Sequence, residues 1–396
     1  MNSEMNRFGI TIIWLISAMA WASPLEKNEV TARIDAALEK LVAEGKTAGV
    51  VARIDHQGKT VYRKGFGTLS PPEEAAMTPD AWFRLFSLTK AVTSAAALKL
   101  VEQGKIELDA PIQTYLPKVS DFALMDGSQP KRQPTVRDLL RHTAGFAAAN
   151  HPTYKQAGIR AKGKSLSEQE VALAKVKLLD EPGTRWLYGI SSDVLGLVLE
   201  KVTGKTLDVV FEELVFAPLG VTELKFFVPE EKLPFMAGLS RTGKQSGQVM
   251  AIPKAMPAAT EKPVFLSGGG GLYGTVDGYA MFLRGLFEGK LLKEESLALM
   301  TSQQLVAPLE RISFGEQQRY GVGFGLGFNV VTKDDDRWDP DAKVGEVGWG
   351  GFSSLHYWIL PKEELIVVTA EQTLPYNWNA ERALKGLIYE ALDGRE

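Results

Sequence analysis

The segment Ser87-Leu88-Thr89-Lys90 places a hydroxyl and an amine three residues apart. Positions i and i+3 share one face of a helix, so the side chains of Ser87 and Lys90 would meet if this segment is helical. A serine hydroxyl becomes a nucleophile when a base removes its proton, and a neutral lysine amine can be that base. A four-residue pattern alone also fits an ordinary helix start, with Ser87 near the N-cap and Lys90 in solvent.

The residues that follow predict a buried helix over 91–103. This segment is apolar over most of its circumference and carries small side chains at several positions, which is typical of a central helix. Burial and the positive end of a helix dipole both disfavour an ammonium, so the position of Lys90 favours the neutral amine. The unpaired N–H groups at the same helix start, including that of Ser87, could bind an oxyanion.

A serine–lysine pair needs a further proton carrier for the leaving group and for water. Tyr188 is the candidate. It ends the segment Pro182-Gly183-Thr184-Arg185-Trp186-Leu187-Tyr188, which leads into a predicted apolar helix. A tyrosine suits the task if a nearby ammonium stabilises its phenolate, although the pattern alone favours packing or helix capping.

Strand patterns at both ends of the chain predict one antiparallel sheet flanked by helices, and the middle of the chain predicts an all-helical region. The two predicted hairpins and the amphipathic helices beside them cover residues 27–44, 49–55, 60–64, 354–360, 364–369 and 380–392. The other predicted helices of the middle region cover residues 136–142, 167–179, 192–203 and 207–216. The predicted fold class is α+β, with no fixed-period repeat and no low-complexity linker.

The first 22 residues predict an export signal. Arg7 precedes an apolar run over residues 8–19, and Ala20-Trp21-Ala22 is a cleavage motif. We expect cleavage after Ala22 and a periplasmic or secreted protein; a buried N-terminal helix is the alternative. The remainder, 23–396, is predicted to be one catalytic domain with an α/β part at about 23–85 and 262–396 and a helical part at about 86–261.

Composition excludes several functions. The net charge of −3 does not indicate a nucleic-acid-binding protein, which would usually be basic. The absence of cysteine excludes thiol catalysis and thiolate metal sites. The four histidines form no H-E-x-x-H motif, so no metal site is expected. The four glycines at 268–271 lack a following Gly-Lys-Ser/Thr, which argues against a phosphate loop. No other apolar run is long enough for stable membrane insertion after cleavage.

Five landmarks occur in an order that resembles the serine β-lactamase-like hydrolases. They are S-x-x-K at Ser87, L-L-R-H-T-A-G-F at 139–146, P-G-x-x-x-x-Y ending at Tyr188, the glycines at 268–271, and Trp349-Gly350-Gly351. The set resembles class C β-lactamases and D-alanyl-D-alanine carboxypeptidases, and is most similar to family VIII carboxylesterases. The resemblance extends from about Lys27 to the C-terminus and implies a β-lactamase/transpeptidase-like fold.

The resemblance implies roles for individual residues. Ser87 would be the acylated nucleophile, Lys90 its general base and Tyr188 the second proton carrier. The N–H groups of Ser87 and Phe352 would hold the oxyanion, and no cofactor would be needed. His142 is similar to a position that supports the active site from outside.

Two departures from the family pattern bear on the substrate. Ile190 replaces the asparagine of Tyr-x-Asn, and Trp349 replaces the lysine of Lys-Thr-Gly on the strand that lines the cleft, followed by Gly350 and Gly351. Losing both polar groups argues against an anionic, peptide-like substrate, and an indole favours an apolar acyl or alcohol group. Asn150 and Tyr154 are candidates for the cleft entrance, or ordinary loop residues.

The predicted function is an exported serine hydrolase that cleaves small-molecule carboxylic esters through a Ser87 acyl-enzyme. One alternative keeps the catalytic residues and changes the substrate, giving a β-lactamase or a D-amino-acid peptidase or amidase. Another alternative is a non-catalytic relative that binds the cell wall or a ligand. No oligomeric state is predicted.

Overall fold

The computed structural model describes residues 23–72, 75–243, 249–252 and 258–394. The predicted signal peptide, residues 1–22, lies outside the described residues. Within these ranges, no helix combines the length and the apolar character needed to cross a membrane. The predicted division of the remaining chain into two parts stays a prediction.

Both ends of the chain contribute to one sheet, as the sequence predicts. Within the described residues, the sheet has seven strands: β1 (Gly49–His56), β2 (Lys59–Gly67), β3 (Val322–Phe324), β4 (Asn329–Val331), β5 (Val347–Gly351), β6 (Leu355–Leu360) and β7 (Leu365–Ala370). Their spatial order is β3-β4-β5-β6-β7-β1-β2, and every neighbouring pair is antiparallel. The predicted hairpins therefore correspond to β1–β2 and β6–β7.

Helices cover both faces of this sheet. The helices are α1 (Asn28–Ala43), α2 (Thr89–Glu102), α3 (Val136–Leu140), α4 (Pro152–Ala157), α5 (Gln169–Leu173), α6 (Ser191–Thr203), α7 (Leu207–Phe211), α8 (Ala217–Leu219), α9 (Val276–Phe287), α10 (Glu294–Thr301) and α11 (Asn379–Leu392). In β7, Leu365 and Val367 pack in a cluster with α1 and α11, whereas Ile366 and Val368 belong to the main core on the other face. Covering both faces explains why β7 is apolar and buried along its length.

Helix α2 lies in the interior of the protein. All of its residues are buried except Lys99, Val101 and Glu102, and it packs against α6 and α7. Small side chains such as Ala95 and Ala96, both with no exposed surface, let neighbouring elements approach from all sides. The buried helix predicted from the sequence is therefore present, and it begins directly after the Ser87 segment.

Short strands also occur outside the main sheet, both within the predicted helical region, 86–261, and on either side of it. Outside the main sheet, short strands occur at Phe83–Arg84, Leu224–Lys225, Ser240–Thr242, Val249–Ala251, Tyr273–Gly274, Ser313–Phe314, Gln317–Gln318 and Thr373–Leu374. The predicted helix over 207–216 is α7 followed by a π-helical turn, Glu212–Phe216.

The prediction of one helix over residues 167–179 is wrong, because α5 ends at Leu173. The N–H of Leu178 donates to the carbonyl of Ala123 at 2.9 Å, and the N–H of Leu179 donates to the carbonyl of Gly145 at 2.8 Å. These N–H groups bind neighbouring segments, so they cannot continue a helix. The apolar side chains after Leu173, such as Val176 and Leu178, are buried, but the segment that carries them is not helical.

Glu371, directly after β7, is predicted to make stability depend on pH. It has no exposed surface, its carboxylate oxygens lack a well-formed hydrogen bond within the described chain, and the Thr47 hydroxyl favours its charged form less than burial disfavours it. Burial raises the pKa of Glu371 to about 8. Between the ordinary glutamate pKa and pH 8, the folded protein holds a proton that the unfolded chain releases, so stability falls as pH rises.

We therefore expect Glu371→Gln to unfold at higher urea concentration than wild type at pH 8, with the difference shrinking toward pH 5. The free energies of unfolding should diverge by up to about 1.4 kcal/mol per pH unit within this window. The exposed Glu261 provides the control variant Glu261→Gln, which should follow wild type. Parallel stability curves for wild type and Glu371→Gln would contradict the prediction.

Candidate active site

Ser87 lies in a single 3₁₀ turn, Phe86–Leu88, that leads into α2. Phe86 adopts a φ of 47°, in the left-handed region that non-glycine residues rarely occupy. Such a conformation at the residue before a candidate nucleophile is typical of functional sites, where the surrounding packing compensates the strain. It places the half-buried Ser87 side chain at the wall of two cavities.

The predicted contact between Ser87 and Lys90 is present. Lys90 Nζ lies 3.1 Å from Ser87 Oγ, and it donates a second hydrogen bond of 2.6 Å to the carbonyl of Gly269. Lys90 is only 7% exposed. The amine is thus withdrawn from bulk water and directed at the Ser87 hydroxyl, which is the arrangement that proton transfer between them requires.

The glycine-rich turn at 268–271 is fixed by α2. Thr93 Oγ1 donates to the carbonyl of Gly268 at 2.6 Å, and the N–H of Leu272 donates to Thr89 Oγ1 at 3.1 Å. A Cβ atom at position 268 would lie 2.5 Å from the carbonyl oxygen of Ser192. At position 268, therefore, glycine allows the turn to pack closely against α6.

Asp193 on α6 holds the same turn from the other side. Its Oδ1 accepts hydrogen bonds from the N–H of Gly269 at 2.9 Å and from Ser267 Oγ at 2.7 Å, and its Oδ2 accepts one from Arg160 Nε at 2.8 Å. Burial alone would raise the pKa of Asp193, but the charge of Arg160 and these hydrogen bonds lower it below the ordinary value. Asp193 is therefore an anion that orients the carbonyl bound by Lys90. Sequence reasoning missed it, because it lies in no recognised motif.

Tyr188 is next to both Lys90 and β5. Lys90 Nζ lies 4.7 Å from the centroid of the Tyr188 ring, and Trp349 Nε1 donates a hydrogen bond of 3.1 Å to the Tyr188 hydroxyl. The structure thus brings the predicted second proton carrier to the Ser87–Lys90 pair.

His142 supports Tyr188 by packing. It has a φ of 59°, its ring centroid lies 5.0 Å from that of Tyr188, and its carbonyl accepts a hydrogen bond of 2.8 Å from the N–H of Leu187. Burial, with a smaller contribution from the charge of Lys90, lowers the pKa of His142 to about 3. It therefore stays neutral near neutral pH, and its contacts fit the supporting position predicted from the sequence.

The end of β5 packs directly against the segment that carries Ser87. A Cβ atom at Gly351 would lie 2.8 Å from the carbonyl oxygen of Leu85, and one at Gly350 would lie 2.2 Å from the Tyr376 hydroxyl. A side chain at position 351 would collide with backbone, whereas one at position 350 would require the Tyr376 side chain to move. Phe352 follows, half exposed, with its ring 5.5 Å from that of Phe86.

Two cavities meet at Ser87, and Tyr188 and Phe352 also line both. The first, the aromatic cavity, has a volume of about 300 Å³ and is walled by Phe314, Gln317, Arg319, Trp349, Gly350, Gly351, Tyr376 and Trp378. The second, the polar cavity, has a volume of about 510 Å³ and includes Arg84, Lys90, Arg160 and the turn at 269–271. Two cavities at one hydroxyl can hold the two halves of a substrate on either side of the bond that is cleaved.

Three residues proposed for the cleft do not line these cavities. Ile190 is 2% exposed and lines a separate small cavity beside Leu197. Tyr154 has no exposed surface, and its hydroxyl donates to the carbonyl of Lys177 at 2.9 Å, so it is a packing residue and not part of the entrance. Asn150 is exposed next to Ala149, which does line the polar cavity. Substrate contact by Ile190 or Asn150 stays a prediction that the geometry does not support.

Three carboxylates near the aromatic cavity, those of Asp339, Glu346 and Glu381, lie within 4.8 Å of one another. Such a cluster could hold a metal ion, but here a lysine ammonium lies among them. Lys385 Nζ donates to these carboxylates at 2.6, 2.8 and 2.7 Å. The cluster is therefore an internal ion-pair network that fixes α11.

The antiparallel sheet, the helical region and the serine–lysine pair at their junction define the β-lactamase-like class of serine hydrolases. The family model described as Beta-lactamase matches residues 34–388, and the chain belongs to this family. The predicted fold class and the family expected from the order of motifs are thereby confirmed.

Individual relatives are esterases by name. Esterase EstB from Burkholderia gladioli is 29% identical over 362 residues, covering 86% of this chain and 90% of EstB. Lovastatin esterase from Penicillium rubens is 28% identical over 388 residues, covering 86% and 92% of the two chains. The solved structure of EstCE1, described as a hydrolase with promiscuous acyltransferase activity, has a TM-score of 0.78 and 27% identity, and covers 91% of this chain and 98% of its own. These similarities agree with the predicted proximity to family VIII carboxylesterases.

Replacing Asp193 is predicted to impair Lys90 without touching the substrate. In Asp193→Asn the side chain keeps its size but loses the charge that pairs with Arg160, so the turn that carries Gly269 loosens and the amine of Lys90 loses its fixed direction. We expect kcat for an activated ester to fall about 10-fold to 100-fold with a smaller change in KM, because a displaced base slows proton transfer.

The rate of Ser87 labelling by a fluorophosphonate should fall in parallel with kcat. The pair formed by the partly exposed Asp335 and the exposed Arg337 provides the control Asp335→Asn, which should leave both rates unchanged. Labelling of Asp193→Asn at the wild-type rate would show that Asp193 does not position Lys90.

Proposed function

We propose that this protein is an exported serine hydrolase that cleaves small-molecule carboxylic esters through an acyl-enzyme on Ser87. The observation that carries the proposal is the contact of 3.1 Å between Lys90 Nζ and Ser87 Oγ at the junction of two cavities. Export is proposed from the signal pattern in residues 1–22.

In the proposed acylation step, Ser87 Oγ attacks the ester carbonyl carbon while the neutral Lys90 amine accepts its proton. The N–H groups of Ser87 and Phe352 stabilise the negative charge on the carbonyl oxygen. The bond from the carbonyl carbon to the alcohol oxygen then breaks, and the alcohol leaves with a proton delivered through Lys90 and Tyr188. Deacylation repeats these steps with water as the nucleophile, and Ser87 regains its proton.

The residues that line the aromatic cavity favour an ester over a β-lactam or a peptide as the substrate. Trp349 occupies the strand position where the family pattern has a lysine, and its indole donates to Tyr188, so the lysine that would bind a peptide carboxylate there is missing. The aromatic cavity offers mainly ring surface to the group it holds. The relatives named as esterases support the same reaction class.

The test combines active-site labelling with turnover. Wild type, Ser87→Ala and the control Ser128→Ala, at an exposed serine, are incubated with a fluorophosphonate and analysed by intact-protein mass spectrometry, and p-nitrophenyl butyrate hydrolysis is measured beside it. We expect one adduct on wild type and on Ser128→Ala. Ser87→Ala should show no adduct and lose at least about 1,000-fold in kcat, because the nucleophile is gone.

Ester turnover or labelling that persists in Ser87→Ala would refute Ser87 as the nucleophile. Nitrocefin hydrolysis by wild type much faster than ester hydrolysis would favour the β-lactamase alternative. No adduct and no turnover in wild type would favour a non-catalytic relative.

A further inference from the structure

Arg319 is a buried cation in the wall of the aromatic cavity, and the proposed reaction does not use it. It is 7% exposed, and its Nε has no hydrogen-bond partner within the described chain. Burial lowers the pKa of Arg319, while the Tyr376 hydroxyl and the Glu381 carboxylate act in the opposite direction, and no carboxylate of the described residues forms an ion pair with it. An arginine stays protonated near neutral pH, so a positive charge is buried in the wall of the cavity that Ser87 also lines.

The other buried lysine and arginine side chains in the described chain form ion pairs, except Lys90, whose amine contacts Ser87 Oγ and the Gly269 carbonyl and acts as a neutral base in the proposed reaction. The pairs are Arg53 with Asp55 and Asp277, Arg141 with Asp138, and Lys385 with Asp339, Glu346 and Glu381. Burying a charge costs several kcal/mol unless a partner compensates it. The unpaired charge of Arg319 therefore lowers the stability of the folded protein, and it lies in the wall of the cavity where a substrate would bind.

Aromatic rings hold the guanidinium in place. Its Cζ lies 4.8 Å from the centroid of Phe314, 4.7 Å from that of Trp338, 5.4 Å from that of Trp349 and 5.6 Å from that of Trp378. Ring faces stabilise a cation and fix its position, yet they are weak acceptors for its N–H groups. The side chain is thus oriented in advance while part of its hydrogen-bonding capacity stays unused.

We propose that Arg319 binds a carboxylate of the substrate, so that the preferred esters carry a carboxylate in the group that enters the aromatic cavity. This inference rests on the proposed ester hydrolysis. A planar guanidinium can bind a carboxylate through two parallel hydrogen bonds, and the Gln317 amide in the same wall can donate a further one. The described residues that line the cavity include no acidic side chain to repel the anion.

The substrate class is then a half-ester of a dicarboxylic acid, or an ester of a hydroxy acid. The sequence-based expectation against anionic substrates depends on Ile190 and Trp349, which replace the polar groups of the family pattern. Arg319 supplies a positive charge from a different part of the chain, the loop before β3. The expected substrate is therefore an anion with an apolar spacer that contacts the surrounding rings.

Two matched pairs of esters test the proposal. The acyl side is probed with mono-4-nitrophenyl adipate against 4-nitrophenyl hexanoate, and the alcohol side with 4-carboxyphenyl butyrate against 4-carbamoylphenyl butyrate. For each pair, kcat/KM is measured in wild type, Arg319→Gln and Arg319→Lys. We expect the ratio of charged to uncharged ester to fall about 30-fold in Arg319→Gln for one pair, mainly through KM, and less in Arg319→Lys, which keeps the charge.

Arg311 provides the matched control, because it is exposed and its Nε donates to the side chain of Gln318. Arg311→Gln should give the wild-type ratios. Unchanged ratios for both pairs in Arg319→Gln would overturn the proposal. A more than tenfold preference of wild type for the uncharged ester in both pairs would also overturn it, even if the Arg319 variants do not fold. If wild type cleaved none of the four esters, the proposed function itself would fail together with this inference.

Discussion

The amine of Lys90 has to be kept out of water and against Ser87, and much of the surrounding structure serves this purpose. Removing an amine from water costs free energy unless polar partners replace the solvent, and the partners here are Ser87 Oγ and the carbonyl of Gly269. The Gly269 carbonyl can serve because Asp193 and the threonines of α2 fix its turn. Helix α2 must therefore be buried between the sheet and α6, which accounts for its small, apolar side chains.

A second constraint is the close approach of β5 to the same segment. At position 351 a side chain would collide with the Leu85 carbonyl, and at position 350 it would collide with Tyr376. The two glycines of Trp349-Gly350-Gly351 thus have a packing reason that is independent of any substrate. Because Trp349 precedes them on the same strand, its indole is brought to the Tyr188 hydroxyl. One strand therefore closes the cleft and contacts a proposed proton carrier.

The features that could be predicted from the sequence are those with a short-range pattern. The hairpins and the flanking helices follow from local periodicity, and the contact between Ser87 and Lys90 follows from their spacing on one helical face. The wrong prediction of a helix over 167–179 shows the limit of such patterns. The N–H of Leu178 donates to the carbonyl of Ala123, a distant partner that local periodicity cannot indicate. Asp193 and Arg319 were missed for the same reason. The Asp193 carboxylate binds the N–H of Gly269, 76 positions away, and Arg319 lines a cavity with the distant Ser87; neither lies in a motif that indicates its partner.

The distribution of charge around Ser87 links these observations. Arg84 and Lys90 line the polar cavity, and Arg319 lines the aromatic cavity. The nearby carboxylates form ion pairs with other cations, Asp193 with Arg160 and Glu381 with Lys385. An ester carbonyl placed at Ser87 is neutral, but its oxygen becomes negative when Ser87 adds to it. In the proposed acylation step Lys90 becomes an ammonium as it accepts the Ser87 proton, so a positive charge develops next to the negative tetrahedral intermediate and stabilises it more than the neutral ester. The two opposite charges of this proposed intermediate therefore lie side by side, and the buried charge of Arg319 remains available for the proposed carboxylate of the substrate.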